Sequence, residues 1–239
     1  MKFAYLIEPP FNHKTTEGIV TGTDVELAKH IIHELDLGEF EPIEAEFADL
    51  LPGVASGKWQ MTTGLFATDE RKQIASFSIP IWALPDGLLV TAGNSSNISG
   101  YQSIAEHKDR TLAVIRDQVQ HRSAIEFGVP EKRLCIFETY TEAANAVLAG
   151  KIDAYASVER AHIGYIDLKN EQRLEVVTVP ATEKPPAFGC FAFSKQDNTL
   201  REDVNCVLRS YYGSEPHRKM MHSFGFNNAE INLVMDSYE

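Results

Sequence analysis

The chain has 239 residues, 44% of them hydrophobic and 23% charged, which is the make-up of one large or two small folded domains and excludes a disordered or fibrous protein. Its 34 Asp and Glu against 22 Lys and Arg give a formal net charge of −12, which argues against binding DNA, RNA or an anionic membrane through bulk charge. No apolar run approaches the ~20 residues of a membrane-spanning helix.

From the start, apolar strand-like segments alternate with helical ones. Phe3 to Ile7 reads as a strand and runs into Glu8-Pro9-Pro10-Phe11, where the prolines stop any helix. This opening lacks the basic start, apolar stretch and cleavage site of a secretory signal, so the chain is either cytoplasmic or one whose signal has been removed. Gly22-Thr23-Asp24 opens a helix capped by Asp24 or Thr23, with Val25, Leu27, Ala28, Ile31, Ile32 and Leu35 as its apolar stripe.

A strand near Pro42–Glu46 precedes a helix over about 48–55, which stops at Ser56-Gly57-Lys58. A short strand, Gln60 to Thr63, then leads into a loop at 64–67, and Thr68 or Asp69 caps a brief helix. After Phe77-Ser78-Ile79-Pro80-Ile81-Trp82 comes the apolar run Leu88-Leu89-Val90.

The polar stretch Gly93–Asn97 reads as a boundary, after which the same alternation restarts. Strands are expected at 111–115, 134–137, 152–156 and 174–177, with helices at 118–127, 141–148 and 158–168 between them. Phe188–Phe193 is a further strand, and three helical stretches complete the chain. Ala55-Ser56-Gly57-Lys58 echoes Leu148-Ala149-Gly150-Lys151, each a helix end followed by a strand, which suits two α/β lobes of similar build.

Cys135, Cys190 and Cys206 lie far apart with no CxxC pair, so they are expected to be buried packing residues. The eight His are scattered without partnering carboxylates, so no metal site is expected, and no cofactor either: G-x-S-x-G, P-loop and G-x-G-x-x-G patterns are absent.

Five motifs in order resemble those of the bacterial extracellular solute-binding proteins, family 3. They are Pro9-Pro10-Phe11 with Gly22-Thr23-Asp24-Val25-Glu26-Leu27-Ala28, then Leu51-Pro52 with Ser56-Gly57-Lys58, then Thr68-Asp69-Glu70-Arg71, then Phe77-Ser78-Ile79-Pro80, and finally Ala149-Gly150-Lys151-Ile152-Asp153-Ala154. The resemblance implies an α/β fold, the two-lobed type II periplasmic-binding-protein clamshell with two hinge crossings. Lobe 1 would hold residues 1–92 and 188–239, and lobe 2 residues 93–187, with the crossings near Leu88–Ala92 and Phe188–Phe193. Ligand would bind between the lobes at the C-terminal ends of the strands.

The resemblance also assigns roles. Arg71 would grip a ligand carboxylate, for which its planar fork is suited. Phe66 stands where the family usually has Ser or Thr, so a hydroxyl for the amino-acid head group is missing. Val158 stands where the family's ammonium-binding Asp usually lies, and Glu159 is either its substitute shifted by one residue or an N-terminal helix carboxylate. Backbone N–H groups near Val119 offer an anion site at a helix start, with Arg116 either a second anion contact or solvated. Glu8, Phe11 and Trp82 either frame a pocket for a cationic or apolar group, or Phe11 and Trp82 pack under the turn while Glu8 is a solvated loop carboxylate.

The implied function is a monomeric, non-enzymatic, periplasmic binding protein that captures a small carboxylate-bearing solute by hinge closure and delivers it to an ABC permease. Two alternatives share the fold: the ligand-sensing domain of a receptor, and an enzyme of the cyclohexadienyl dehydratase kind. The latter would pair Arg71 with Glu8 or Glu159 as proton donor.

Overall fold

The computed structural model describes residues 1–238. The chain divides into two compact units, one formed by Met1–Ala83 with the segment from Ala187 onward, the other by Leu84–Pro186.

The first unit begins with strand β1 (Lys2–Tyr5), the short strands β2 (His13–Lys14) and β3 (Val20–Thr21), helix α1 (Thr23–Glu34) and strand β4 (Glu41–Glu44). Helix α2 (Phe47–Ala55), strand β5 (Met61–Phe66), helix α3 (Asp69–Ile74) and strand β6 (Ser76–Leu84) follow. The second unit contains β7 (Asp86–Thr91), α4 (Tyr101–Glu106), β8 (Leu112–Ile115), α5 (Val119–Glu126) and β9 (Leu134–Phe137). It continues with α6 (Tyr140–Leu148), β10 (Ala154–Val158), α7 (Glu159–Lys169) and β11 (Leu174–Thr178). The return segment adds β12 (Ala187–Phe193), α8 (Asn198–Tyr211), α9 (Glu215–Ser223) and α10 (Asn228–Asp236) to the first unit.

Each unit has a mixed five-stranded sheet, ordered β4-β1-β5-β12-β6 in the first and β11-β7-β10-β8-β9 in the second. In the first, β1 runs parallel to β4 and β5, and β12 inserts antiparallel to β5. Pairing of Gly189 with Phe66 and Cys190 with Leu65 carries β5 through Phe66, so residues 64–66 are strand rather than loop. In the second, β8, β9 and β10 are parallel neighbours, and β7 pairs antiparallel with both β10 and β11.

That last pairing places the chain's first passage between units at Ala83/Leu84 rather than near Ala92. The polar turn after Thr91 lies inside the second unit, where Ala92 N–H donates to Arg173 O and Gly93 N–H to the Glu175 carboxylate. Helix α4 follows it, an element the polar composition of the preceding turn concealed.

Helix α1 buries Val25, Leu27, Ala28, Ile31 and Ile32, the expected stripe. Its N-cap is Gly22, not Thr23 or Asp24; a Cβ there would lie 2.1 Å from Phe11 O. The Gly-Lys helix ends match closely. Lys58 N–H reaches back to Gly53 O and Lys151 N–H to Ala146 O, with Gly57 and Gly150 both left-handed, so α2 and α6 close in the same way before β5 and β10.

The first core gathers Ala4, Leu50, Val54, Trp59, Leu65 and Ala192, and the second Leu88, Val90, Tyr101, Leu112, Val114 and Ala156. Of the cysteines only Cys190 is buried; Cys135 is half-buried and Cys206 exposed, because Cys206 falls on the outer face of α8 while Val204 and Leu208 turn inward.

Candidate functional site

In the first unit Glu8, Phe11 and Arg71 follow the C-terminal ends of the parallel strands β1 and β5, Phe66 ends β5, and Trp82 lies on β6. After β1 the chain forms a tight turn in which Glu8 O accepts from the N–H groups of Phe11 and Asn12, and Glu8 N–H donates to Asn12 O. After β5, Thr68 caps α3 by accepting from Arg71 N–H, as its place in the sequence suggests. This turn sets Arg71 inward: it is 8% exposed, not a solvated surface arginine. One guanidinium nitrogen donates to Phe66 O at 3.1 Å, and the group lies 5.2 Å from the Phe47 ring centroid.

Trp82, on β6, lies flat across the neighbouring strands where both carry glycine. A Cβ on Gly189 would fall 2.2 Å from its ring and one on Gly64 2.6 Å from its indole nitrogen. The two glycines thus make the space the indole fills. Phe11 tilts against it at 5.4 Å between centroids and Phe66 meets it edge-on at 5.3 Å. The structure therefore brings Phe11, Phe66 and Trp82 into one aromatic cluster, with Arg71 bonded to the backbone of its Phe66 member.

Beneath the cluster runs a buried polar chain that sequence reading passed over. Asn12 Nδ2 donates to Thr63 Oγ1 at 2.7 Å, and Thr63 Oγ1 donates to the Asp24 carboxylate at 2.6 Å. Gly64 N–H donates to the same carboxylate oxygen at 2.8 Å. The Trp82 indole N–H faces this carboxylate too, at a geometry too poor for a full hydrogen bond. Burial pushes the Asp24 carboxyl up to about 6, against the opposing pull of these donors. Asp24 is thus a tie between α1 and the end of β5. The polar pair Thr62-Thr63 inside an otherwise apolar strand was the available signal.

In the second unit Val119 and Glu159 begin α5 and α7, the helices that follow the parallel neighbours β8 and β10. Asp117 takes a left-handed turn (φ 64°) to start α5, and Arg116 pairs with the Glu138 carboxylate at 2.7 Å, both side chains about half exposed. Glu159 N–H donates to Pro85 O at 3.0 Å, and its carboxylate accepts from the Thr178 hydroxyl. Val158, the last residue of β10, is buried.

A second buried network stabilises the start of α5. Asp86, 1% exposed, accepts from Tyr101 Oη at 2.6 Å, Gln120 Nε2 at 2.9 Å and Lys184 Nζ at 2.5 Å, while Lys184 also donates to Ser123 Oγ at 2.8 Å. Gln120 and Ser123 both belong to α5, so this carboxylate fixes the helix that carries Val119. His162 is wholly buried behind α7, with Tyr140 Oη 2.6 Å from Nδ1 and Gly87 O 3.1 Å from Nε2. Burial lowers its imidazole to about 3.

The sequence from residue 2 to residue 225 matches the model of the bacterial extracellular solute-binding proteins, family 3. The chain belongs to that family. It is a solute-binding protein, in a family of binders rather than enzymes, and its two mixed-sheet units are those of the type II periplasmic binding proteins.

This family-3 protein is 23% identical to a probable amino-acid ABC transporter periplasmic-binding protein of Sinorhizobium fredii, over 96% of this chain and 78% of the relative. It is 25% identical to the histidine-binding periplasmic protein of Salmonella typhimurium, over 88% of this chain and 81% of the relative. Among solved structures, EhuB in complex with hydroxyectoine superposes with a TM-score of 0.88 at 24% identity, covering 98% of this chain and 90% of that one. Among the described residues no helix is long and apolar enough to cross a membrane.

Proposed function

We propose that this protein captures a small carboxylate-bearing solute in the periplasm and hands it, as a monomer, to an ABC permease, the two units closing on the ligand. Arg71 takes the carboxylate, and Phe11, Phe66 and Trp82 take the remainder of the ligand, with Glu8 at its rim. Val119 and Glu159 add contacts from the second unit. The relatives support the transport setting: one is described as an ABC transporter component and another as a periplasmic protein.

One observation carries the ligand class. In the first unit Trp82 touches both Phe11 and Phe66, and the buried Arg71 bonds to the backbone of Phe66; in the second unit Val158 is apolar and buried. An ammonium is desolvated without compensation in such surroundings unless Glu8 or Glu159 partners it. A diffuse or alkylated cation is accepted by ring faces at lower cost. The preferred solute therefore combines a carboxylate with a delocalised or substituted cation, and ordinary α-amino acids bind weakly unless Glu8 or Glu159 takes the role of the missing Asp.

A thermal-shift screen of the twenty standard amino acids beside cyclic, N-alkylated and amidine-type carboxylates tests this, since a binder raises the melting temperature as RT ln(1 + [L]/Kd). A large shift with a common amino acid that survives Glu8→Gln and Glu159→Gln would show that an ammonium is accommodated after all.

A further inference from the structure

The first unit has a cavity of about 360 Å³ whose lining includes Lys72 of α3, Ser76 and Ser78 of β6, Lys195 just after β12, and Arg201 in the first turn of α8. It uses none of the aromatic cluster and not Arg71. Three cations converge on it and no carboxylate lines it, in a chain whose net charge is −12.

Two of the three cations have one carboxylate partner each at the surface, and the third has none among the described residues. Arg201 Nε is buried without an acceptor among the described residues, although another of its nitrogens pairs with Glu202. A buried N–H without an acceptor carries a full desolvation penalty. Lys195 is exposed and has no hydrogen-bond or ion-pair partner among the described residues. Lys72 has one ion pair, to Asp69 at 3.3 Å, with the two side chains 55% and 97% exposed, and a pair so open to water contributes little. Ser78 Oγ is committed to Ile79 O and to Phe191 N–H, so it shapes the wall.

We propose that this cavity binds a small inorganic oxyanion of the phosphate or sulfate kind, held by Arg201, Lys195 and Lys72. A tetrahedral oxyanion directs oxygens toward several donors at once, and so can bridge the Arg201 guanidinium and the two ammonium groups. The volume leaves room for part of the hydration shell. Because Lys72, Lys195 and Arg201 come from three separate elements, the bound ion ties α3 and the exit of β12 to α8. The site stands apart from the proposed solute site and does not depend on it.

The test is titration of the full chain with sodium phosphate and sodium sulfate against sodium chloride at matched ionic strength, followed by melting temperature and by calorimetry. Phosphate or sulfate is expected to stabilise saturably where chloride does not. Lys195→Gln and Arg201→Gln are each expected to weaken the response about tenfold, the loss of one charge-assisted contact, and Arg71→Met to leave it intact. Lys195 is exposed, so its variant folds and decides the matter even if Arg201→Gln does not. A response no different from chloride, or one that survives Lys195→Gln, overturns the proposal. So does one abolished by Arg71→Met, which would move the anion to the solute site.

Discussion

The Lys184 ammonium meets the Asp86 carboxylate at 2.5 Å across 98 residues of sequence, with the Lys side chain 16% and the Asp 1% exposed. Removing one partner of such a pair leaves a buried charge short of compensation. Lys184→Met is therefore expected to destabilise the second unit by about 3–5 kcal/mol, and Asp86→Asn combined with it to recover part of the loss. Both tryptophans, Trp59 and Trp82, lie in the first unit. Denaturation followed by far-ultraviolet dichroism should then shift to lower urea more than the tryptophan-fluorescence transition. Coincident shifts of equal size would contradict this.

Gly189→Ala tests the bed on which Trp82 lies. The new methyl group has no room unless the indole moves, and such overpacking costs about 1–3 kcal/mol. The expected result is a lower denaturation midpoint, a changed tryptophan emission, and weaker solute binding. A variant with wild-type emission would mean that the indole is not held as described.

Arg71→Ala is expected to weaken binding of the solute identified by the screen by about 2–5 kcal/mol, because a carboxylate is left without its charged partner. Loss of the bond to Phe66 O should lower stability by only about 1 kcal/mol. Titration calorimetry beside urea denaturation separates the two. Unchanged affinity would remove Arg71 from the site.

Acid should destabilise the protein, and the sign follows from three buried groups. Burial lowers His162 to about 3 and His217 to about 4 from an ordinary 6.5, so both are neutral when folded and take up protons on unfolding. Their contribution is present above pH 6.5 and is lost as pH falls toward 3–4. Asp24, raised to about 6 from 3.8, acts oppositely: its buried charge costs stability above pH 6, and the cost is relieved on acidification. The imidazoles are two and are displaced farther, so they prevail, and stability should fall between pH 6.5 and 4. Asp24→Asn should flatten the opposing part and steepen that fall; melting temperatures across the range measure it.

What could be read in advance was local chemistry. The Thr68 cap, the Gly57 and Gly150 helix ends and the stripe of α1 each arise within a few residues, so pattern alone locates them. Arg71 stood out through the motif around it; it is buried and bonded to Phe66 O, and its role toward a ligand is a proposal. Asp24 was misjudged as a helix cap because its partners, Thr63 and Gly64, lie 39 and 40 residues away. The boundary placed at Gly93 failed for a related reason: Gly and Asn signal a turn, and only the pairing of β7 with β10 and β11 tells which unit that turn belongs to. The Asp86 network was invisible, since nothing near Asp86 or Lys184 announces a partner so far along the chain.

The position of β12 between β5 and β6 bears on how the polypeptide acquires its structure during synthesis. A ribosome delivers Leu84–Pro186 as one uninterrupted stretch, so every strand of the second sheet is available before Ala187 emerges. At that moment the first sheet still lacks an interior strand, and β5 and β6 have an unfilled gap between them. Pairings across such long separations form late. The inserted unit is thus the one that can mature on the nascent chain, while the first unit must wait for the return segment that starts at Ala187.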